Sequence, residues 1–206
     1  MESTIDHDCP ICNSESGLTL IVHSSEIPYF GEHTEMTLAC DACGWRHTDF
    51  IPAEGRKATA WSFEVESSDH MSVRVVRSSS CTVRIVELGL EVEPGQNATG
   101  YISNIEGVLK RFEDAIGLIL RSSLEDGEEG AENVSACEEL LRSLSALRVG
   151  EASVELILLD PMGHSQILHE EARSWELDSE EIASLAPGPQ IPVIDSSDLD
   201  RSKSVV

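Results

Sequence analysis

The sequence predicts an α+β protein in which a cysteine-tied ribbon precedes a β-rich domain, and a helical hairpin is inserted into that domain. Two Cys-x-x-Cys pairs lie near the start, β-type runs flank a central region, and apolar residues in that region recur every three or four positions. We therefore expect a ribbon over residues 1–56, a β domain over 57–186 with the hairpin at about 101–149, and a flexible tail over 187–206.

The two cysteine pairs have the spacing of a metal site. They are separated by 27 residues, and each pair can form one turn that supplies two thiolates to a tetrahedral zinc ion. A redox role would need one pair inside a βαβ unit, whereas this chain has two pairs and no helix is predicted after either. The pairs thus predict zinc as the cofactor. The predicted metal ligands are Cys9, Cys12, Cys40 and Cys43.

The residues around these pairs agree with a structural metal. Asn13 and Gly44 follow the second cysteine of each pair, and these residue types best tolerate the positive φ that such a turn needs. Four sulfur ligands fill the coordination sphere of zinc and leave no position for substrate. We expect His7, His33 and His47 to be surface or loop histidines rather than ligands.

Two short strands, at residues 18–22 and 34–39, are predicted to lead away from one pair and back to the other. The stretch between them, EIPYFGE, holds two neighbouring aromatic residues in a chain that has few. Its rings either anchor a protein partner, after a proline that limits the freedom of the loop, or pack on the ribbon and the neighbouring β domain. The candidate partner-binding residues are Ile27, Pro28, Tyr29 and Phe30.

The β domain begins with β-type segments at residues 60–65, 72–77 and 81–86. From Ile105 the period changes to that of a helix, whose apolar stripe continues to Ile119 and Leu120, and Ser103 with Glu106 can cap its start. A second helical stripe ends at Gly150, and the two helices are expected to cover one face of the sheet. Cys81 and Cys137 are expected to be small core side chains.

After the helices the sequence returns to strand composition. Residues 154–159 are predicted to form a strand, DPMGHS a tight turn, and residues 166–169 the second strand of a hairpin. Asp160 and His164 are interpreted as turn formers, and Trp175 is expected to cover the core. The chain contains none of the common phosphate-binding, dinucleotide-binding, zinc-protease or serine-nucleophile motifs, so no catalytic residue and no site for an organic cofactor is predicted.

The chain is strongly acidic, with 38 Asp and Glu against 14 Lys and Arg and a net charge of −24. The excess is spread along the chain rather than gathered in a tail, and only three basic residues are lysines. This pattern favours a halophilic protein in a salt-rich cytoplasm, where acidic surfaces keep proteins soluble. No signal peptide or membrane-spanning run is evident, so we expect a cytoplasmic protein.

Residues 57–98 are the least acidic part of the chain, and Arg74, Arg77 and Arg84 lie there. If the protein binds nucleic acid, this is the expected face. The alternative is that these arginines pair with glutamates on neighbouring strands.

Several motifs in order resemble the ZPR-type zinc-finger proteins, the family of zinc finger protein one. They are CPIC, EIPYFGE and CDACGW in the ribbon, SSSCTVRIVELGLEV and YISNIEGVLKRF in the middle, and LLRSLSALRVG with LILLDPMGHS near the end. The resemblance extends from Cys9 to His169 and covers a single module, as in short archaeal forms.

The resemblance implies a zinc finger joined to a double-stranded β-helix with an inserted helical hairpin. It also implies a non-catalytic protein-interaction module, a chaperone or adaptor for translation elongation factor one-alpha, which we expect to be a monomer. The alternative is a zinc ribbon that binds nucleic acid or the ribosome. A basic face would favour that alternative, and residues 1–56 contain only Arg46 and Arg56.

Overall fold

The computed structural model of the protein describes residues 2–15, 17–27, 31–52 and 57–189. The described residues form twelve β-strands and three α-helices, arranged as a four-stranded N-terminal sheet and a larger body of two sheets with a helical hairpin. Every strand pairing is antiparallel. Residues 53–56 and 190–206, which include most of the predicted tail, lie outside the described part of the chain.

The N-terminal sheet is a ribbon of sequential strands. Its central hairpin is longer than the sequence predicts, because both strands run for ten residues and pair along their whole length, from Leu18 with Cys40 to Ile27 with Gly31. At about 3.4 Å per residue this hairpin is about 30 Å long. In sequence and spatial order the strands are β1 (Glu2–Ile5), β2 (Leu18–Ile27), β3 (Gly31–Cys40) and β4 (Arg46–Pro52).

The body consists of a five-stranded sheet and a three-stranded sheet whose buried side chains meet in one core. The five-stranded sheet has the order β12 (Arg173–Glu176), β5 (Thr59–Val65), β10 (Val154–Asp160), β7 (Thr82–Ile85) and β8 (Leu90–Val92). The three-stranded sheet has the order β11 (Gln166–Leu168), β6 (Arg74–Arg77) and β9 (Tyr101–Asn104). Strands precede and follow the two long helices along the chain, which confirms the α+β prediction.

The inserted hairpin consists of α1 (Ile105–Glu125) and α2 (Ala131–Arg148), joined by a short 3-10 turn. Its apolar residues at three- and four-residue spacing enter the core of the body, as the periodicity predicts. The buried ones are Ile105, Val108, Leu109, Phe112 and Ile116 of α1 and Cys137, Leu144 and Leu147 of α2. Gly150, with φ of +76°, follows the second helix.

Two predictions about the first helix are wrong. Ile119 is 54% exposed, because the buried face of α1 continues through Ile116, Leu120 and Ser123 and Ile119 lies outside it. The helix is also capped by Asn104, whose side-chain oxygen accepts a hydrogen bond from the Gly107 amide, and not by Ser103. Ser103 pairs with Val75 inside β9, and Asn104 is both the last residue of that strand and the cap of the helix.

The C-terminal strands also depart from prediction. Residues 166–168 do not form a hairpin with β10, because the turn after Asp160 carries the chain into the other sheet, where β11 pairs with β6. Trp175 does not cover the core: it lies on the edge strand β12, pairs with Ala60 through its backbone and is 39% exposed. A short helix, α3 (Ser179–Ser184), follows.

The ribbon joins the body through the end of β4. The Thr48 carbonyl accepts a hydrogen bond from the Gly100 amide, and Phe50 packs with Val76 of the three-stranded sheet. A side chain at position 100 would meet Asp49 Oδ1 at 2.8 Å, so glycine allows the two parts to approach closely. None of the helices in the described residues is both long and apolar enough to cross a membrane.

Candidate metal centre and its surroundings

Each cysteine pair forms the same tight turn. In the first turn the Asn13 amide donates to the Cys9 carbonyl at 2.9 Å, and in the second the Gly44 amide donates to the Cys40 carbonyl at the same distance. Asn13 has φ of +52° and Gly44 has φ of +75°, as the residue types predict. The two turns are therefore equivalent supports for two pairs of thiols.

The long hairpin brings the two turns together. Cys40 is the last residue of β3 and pairs with Leu18, the first residue of β2, so the second pair lies next to the chain that leaves the first pair. The sulfur atoms of Cys9, Cys12, Cys40 and Cys43 all lie within 4.8 Å of one another.

The sulfur geometry fits zinc. The Sγ atoms of Cys9 and Cys43 are 3.7 Å apart, as are those of Cys12 and Cys40. A tetrahedral ion with Zn–S bonds of about 2.3 Å places its sulfur ligands about 3.8 Å from one another. The four cysteines are thus positioned to bind one zinc ion.

Hydrogen bonding favours the thiolate of Cys9, whereas at Cys12 and Cys43 the hydrogen bonds of the Ser14 and Trp45 amides are outweighed by burial and the neighbouring thiols, which raise the pKa of both. Cys9 and Cys40 are buried and Cys12 and Cys43 are exposed, so the site has one inner and one outer sulfur from each turn. Burial raises the pKa of the Cys9 thiol, but the amides of Cys12 and Ile11 and the neighbouring thiols together lower it to about 7. Amide groups aimed at sulfur stabilise the thiolate, which is the form that binds metal.

The three histidines near the cysteines in the sequence differ in what the structure shows of their burial. His47 is 3% exposed and lies on Trp45 with ring centroids 6.1 Å apart, so the prediction of a surface histidine is wrong for this residue. Side chains alternate along β4, and this places the His47 ring on the buried face of the strand. Burial lowers the pKa of His47, and the Asp49 carboxylate opposes that shift. His7 is half-buried, and the side chain of His33 lies outside the described residues.

The two remaining cysteines lie in the core of the body. Cys81 is fully buried and Cys137 is 5% exposed, which confirms the prediction for both. Burial and the nearby Asp160 carboxylate raise the pKa of Cys81 to about 12, so its thiol stays protonated at neutral pH.

The candidate partner-binding residues are at the other end of the ribbon. Ile27 pairs with Gly31 at the end of the hairpin opposite the cysteines. The structure describes the backbone of Ile27 and not its side chain, and Pro28, Tyr29 and Phe30 lie outside the described residues.

Two buried carboxylates were not recognised from the sequence. Asp49, on β4, accepts hydrogen bonds from the Ser79 hydroxyl at 2.6 Å and the Ser79 amide at 3.0 Å, which ties the ribbon to the body. Asp160 is fully buried and accepts from three serine hydroxyls and two amides, so it is more than a turn former. Ser165 belongs to the same turn as Asp160, whereas Ser78 and Ser80 come from the SSSC segment, whose distance in sequence hides this arrangement.

Two of the three arginines singled out in the β domain bind to other groups of that domain. Arg84 forms an ion pair with Glu91, its partner on the neighbouring strand, as the pairing alternative predicts. Arg77 is buried, and its guanidinium donates to the carbonyls of Cys81 and Thr99. Arg74 is exposed.

The chain matches known proteins over both parts of the structure. Residues 3–56 match the ZPR1 zinc-finger domain, and residues 69–183 match the ZPR1 jelly-roll domain. The jelly roll is the double-stranded β-helix that the resemblance implies, and the two-sheet body is its counterpart here.

Three relatives illustrate the range of the similarity. A ZPR1-like protein of Pyrococcus horikoshii is 38% identical over 186 residues, which cover 90% of this chain and 82% of the relative. A ZPR1-like protein of Methanocaldococcus jannaschii is 36% identical over 188 residues, covering 91% and 92%. The zinc finger chaperone zpr1 of Schizosaccharomyces pombe is 30% identical over 170 residues, covering 80% of this chain and 35% of that longer protein. Both ZPR1 domains match this chain, and the alignments with the two archaeal relatives cover most of each protein. The protein therefore belongs to the ZPR1 family.

Proposed function

We propose that the protein is a non-catalytic, zinc-dependent binding module that acts in the cytoplasm as a chaperone or adaptor for translation elongation factor one-alpha. The observation that carries this proposal is its similarity to a relative named as a zinc finger chaperone, over 80% of the present chain. The cysteine site supports it, because zinc held by Cys9, Cys12, Cys40 and Cys43 would have four sulfur ligands and no open position for substrate.

The binding surface that we propose is the end of the ribbon hairpin, formed by Ile27, Pro28, Tyr29 and Phe30. Ile27 and Gly31 bracket the three residues between them, and this end is about 30 Å from the cysteine pairs. A partner bound there would contact aromatic side chains without disturbing the metal. Aromatic residues supply much contact area at low entropic cost, which suits an anchor.

The charges favour a protein partner over nucleic acid. A nucleic-acid-binding ribbon needs a basic face, and residues 1–56 contain ten acidic residues with only Arg46 and Arg56. In the body, Arg77 and Arg84 are held by carbonyls and by Glu91. Their guanidinium groups are therefore not presented together as a phosphate-binding surface.

The test measures binding and folding assistance with purified components in molar potassium chloride. The zinc-loaded protein is titrated into elongation factor one-alpha from the same cells, with and without GTP, in a calorimeter. The same elongation factor is also diluted from denaturant, and its recovered nucleotide binding is measured with and without the protein. We expect a complex and an increased recovery of nucleotide binding. The absence of both would overturn the proposal.

The location of the surface is tested with the double variant Tyr29→Ala/Phe30→Ala. We expect at least a tenfold weaker complex with an unchanged melting temperature. The matched control is Val86→Ala, which removes an apolar side chain that is 51% exposed on the body and should leave binding unchanged. A double variant that melts at lower temperature but binds normally would show that the rings pack on the protein itself.

A further inference from the structure

A second cluster of metal-ligating side chains lies on the body, away from the cysteines. His70 is in the 3-10 turn after β5 (Ser68–Ser72), and His169 and Glu171 follow β11. One ligand atom of each of these three residues lies within 4.8 Å of the other two. The chain thus brings two imidazoles and a carboxylate together from segments a hundred residues apart.

Both imidazoles rest on the same buried ring. The Phe63 side chain is 2% exposed, and its ring centroid is 4.9 Å from that of His70 and 4.8 Å from that of His169. The two imidazole centroids are 5.6 Å apart. Because a core side chain supports both rings, their relative position is set before any ion arrives.

Two backbone groups contact the Nδ1 atom of His70. Its Nδ1 lies 3.2 Å from the Glu64 carbonyl. The Glu66 amide donates to the same Nδ1 at 3.2 Å, and in that tautomer Nε2 carries the proton. Binding of an ion at Nε2 moves the proton to Nδ1, which then donates to the Glu64 carbonyl. Metal-binding histidines usually have such a carbonyl partner on the second ring nitrogen.

The carboxylate is close and movable. Glu171 Oε2 lies 3.8 Å from His169 Nδ1, which also accepts a hydrogen bond from the Glu171 amide at 3.3 Å, and the Glu171 side chain is 70% exposed. Two donors bound to one ion at about 2.1 Å lie roughly 3 to 4 Å apart, depending on the coordination geometry. An ion bound at His169 Nδ1 would replace the Glu171 amide as the partner of that nitrogen, with the Glu171 carboxylate within reach.

The surrounding charge also suits a cation. A cleft of about 460 Å³ beside Phe63 is lined by Glu64, Glu66, Glu155, Glu170 and Glu171, together with Arg173. A cleft with this excess of negative charge raises the local concentration of cations. Glu171 and Phe63 belong to this cleft, and the two imidazoles adjoin it through their contacts with the Phe63 ring.

The geometry points to a second metal site, in which His70, His169 and Glu171 bind a divalent transition-metal ion. A donor set of two nitrogens and one oxygen suits ions such as Zn²⁺, Co²⁺ and Ni²⁺, and differs from the sulfur site of the ribbon. The ion would connect the segment after β5 with the segment after β11, and so tie the five-stranded sheet to the three-stranded one. This inference does not depend on the proposed partner.

The test adds Co²⁺ to untagged, full-length protein whose cysteine site already holds zinc. Equilibrium dialysis in molar potassium chloride measures the Co²⁺ bound per chain, and absorption spectra identify its ligands. We expect one additional Co²⁺ per chain, with weak visible bands and without the near-ultraviolet sulfur-to-cobalt bands that a cysteine site produces.

The variants are Glu171→Gln and His169→Gln, with Glu170→Gln as the matched control. We expect at least tenfold weaker binding for Glu171→Gln, no measurable binding for His169→Gln, and an unchanged site in the control. Glu171 is exposed, so its variant should fold normally even if the histidine variant does not. Absence of the additional ion, or equal binding by Glu170→Gln and Glu171→Gln, would overturn the inference.

Discussion

The carboxylate of Asp160 shows how one residue can organise several segments. Its Oδ2 accepts from the hydroxyls of Ser78 and Ser165 at 2.8 and 2.6 Å, and its Oδ1 accepts from the Ser80 hydroxyl at 2.8 Å. The amides of Met162 and Ser165 complete the arrangement. A fully buried carboxylate is stable only when its oxygens are satisfied in this way.

We predict that Asp160→Asn destabilises the protein by about 1–3 kcal/mol. The new amide group would turn N–H donors toward serine hydroxyls and backbone amides that now donate, and buried groups would lose their partners. Urea unfolding in molar salt measures the change.

The control for this substitution is Asp126→Asn. Asp126 is exposed at the end of α1, so the same chemical change there should alter stability by less than about 0.5 kcal/mol. Equal effects of the two substitutions would contradict the role given to Asp160.

For single residues, the sequence predicts those features that depend on residues nearby in the chain. The cysteine spacing and the residue types of Asn13 and Gly44 are local, and they indicated the metal turns correctly. Asp160 and His47 were misjudged because their environments are made by distant segments. The turn sequence contains Ser165, but it does not reveal that the hydroxyls of Ser78 and Ser80 also reach its first residue.

In the helical hairpin, too, the features set by nearby residues were predictable and those set by distant strands were not. Its period predicted two helices and most of the residues that α1 buries. The exact start of α1 depends on where β9 ends, and β9 is fixed by its pairing with β6, from Arg77 with Tyr101 to Arg74 with Asn104. Asn104 is the last residue of the strand and therefore also the cap of α1, whereas Ser103 lies one residue too early.

We predict that Asn104→Ala costs about 1 kcal/mol of stability, because the Gly107 amide loses its acceptor at the start of α1. Ser103→Ala should cost less, since no capping hydrogen bond is lost. Thermal or urea unfolding of the two variants measures the difference. A larger effect at Ser103 would show that the capping box indicated by the sequence is the functional one.

Strand pairing was less predictable than the existence of strands. The segments at 60–65 and 154–159 were recognised from composition, but β11 was assigned to the wrong partner. Neither β12 nor α3 was predicted, since both are short and mostly exposed and show little apolar period. Edge elements of this kind are set by contacts with the body.

The buried apolar side chains of the described residues form two main cores of unequal size and two minor clusters. Among the described residues, the main core of the body has twenty buried residues and the core of the ribbon has six, of which Cys9 and Cys40 are candidate metal ligands. A small core that includes the ligands depends on the metal for stability. The body does not share that dependence.

We predict that removing zinc with a chelator exposes four thiols and leaves two protected. The ribbon cysteines should then react with a thiol reagent, whereas Cys81 and Cys137 stay buried in the intact body. The pKa of Cys81 near 12 further prevents its reaction at neutral pH. Counting reactive thiols before and after chelation, and again in denaturant, measures this.

Hydrogen exchange provides the control for the chelation experiment. Amides of β2 and β3 should lose protection when zinc is removed, while those of α1 and β10 should keep it. Six reactive thiols after chelation, with loss of protection throughout, would show that the two cores unfold together.

The order of the strands in the five-stranded sheet has a consequence for protein synthesis. β5 pairs with β10 and β12, from Thr59 with Asp160 to Val65 with Val154, whereas the strands of the ribbon pair with their neighbours in sequence. A nascent chain can therefore assemble its ribbon soon after it leaves the ribosome. The body must wait for its last strands, and until then the edges of β5 stay open to wrong pairings.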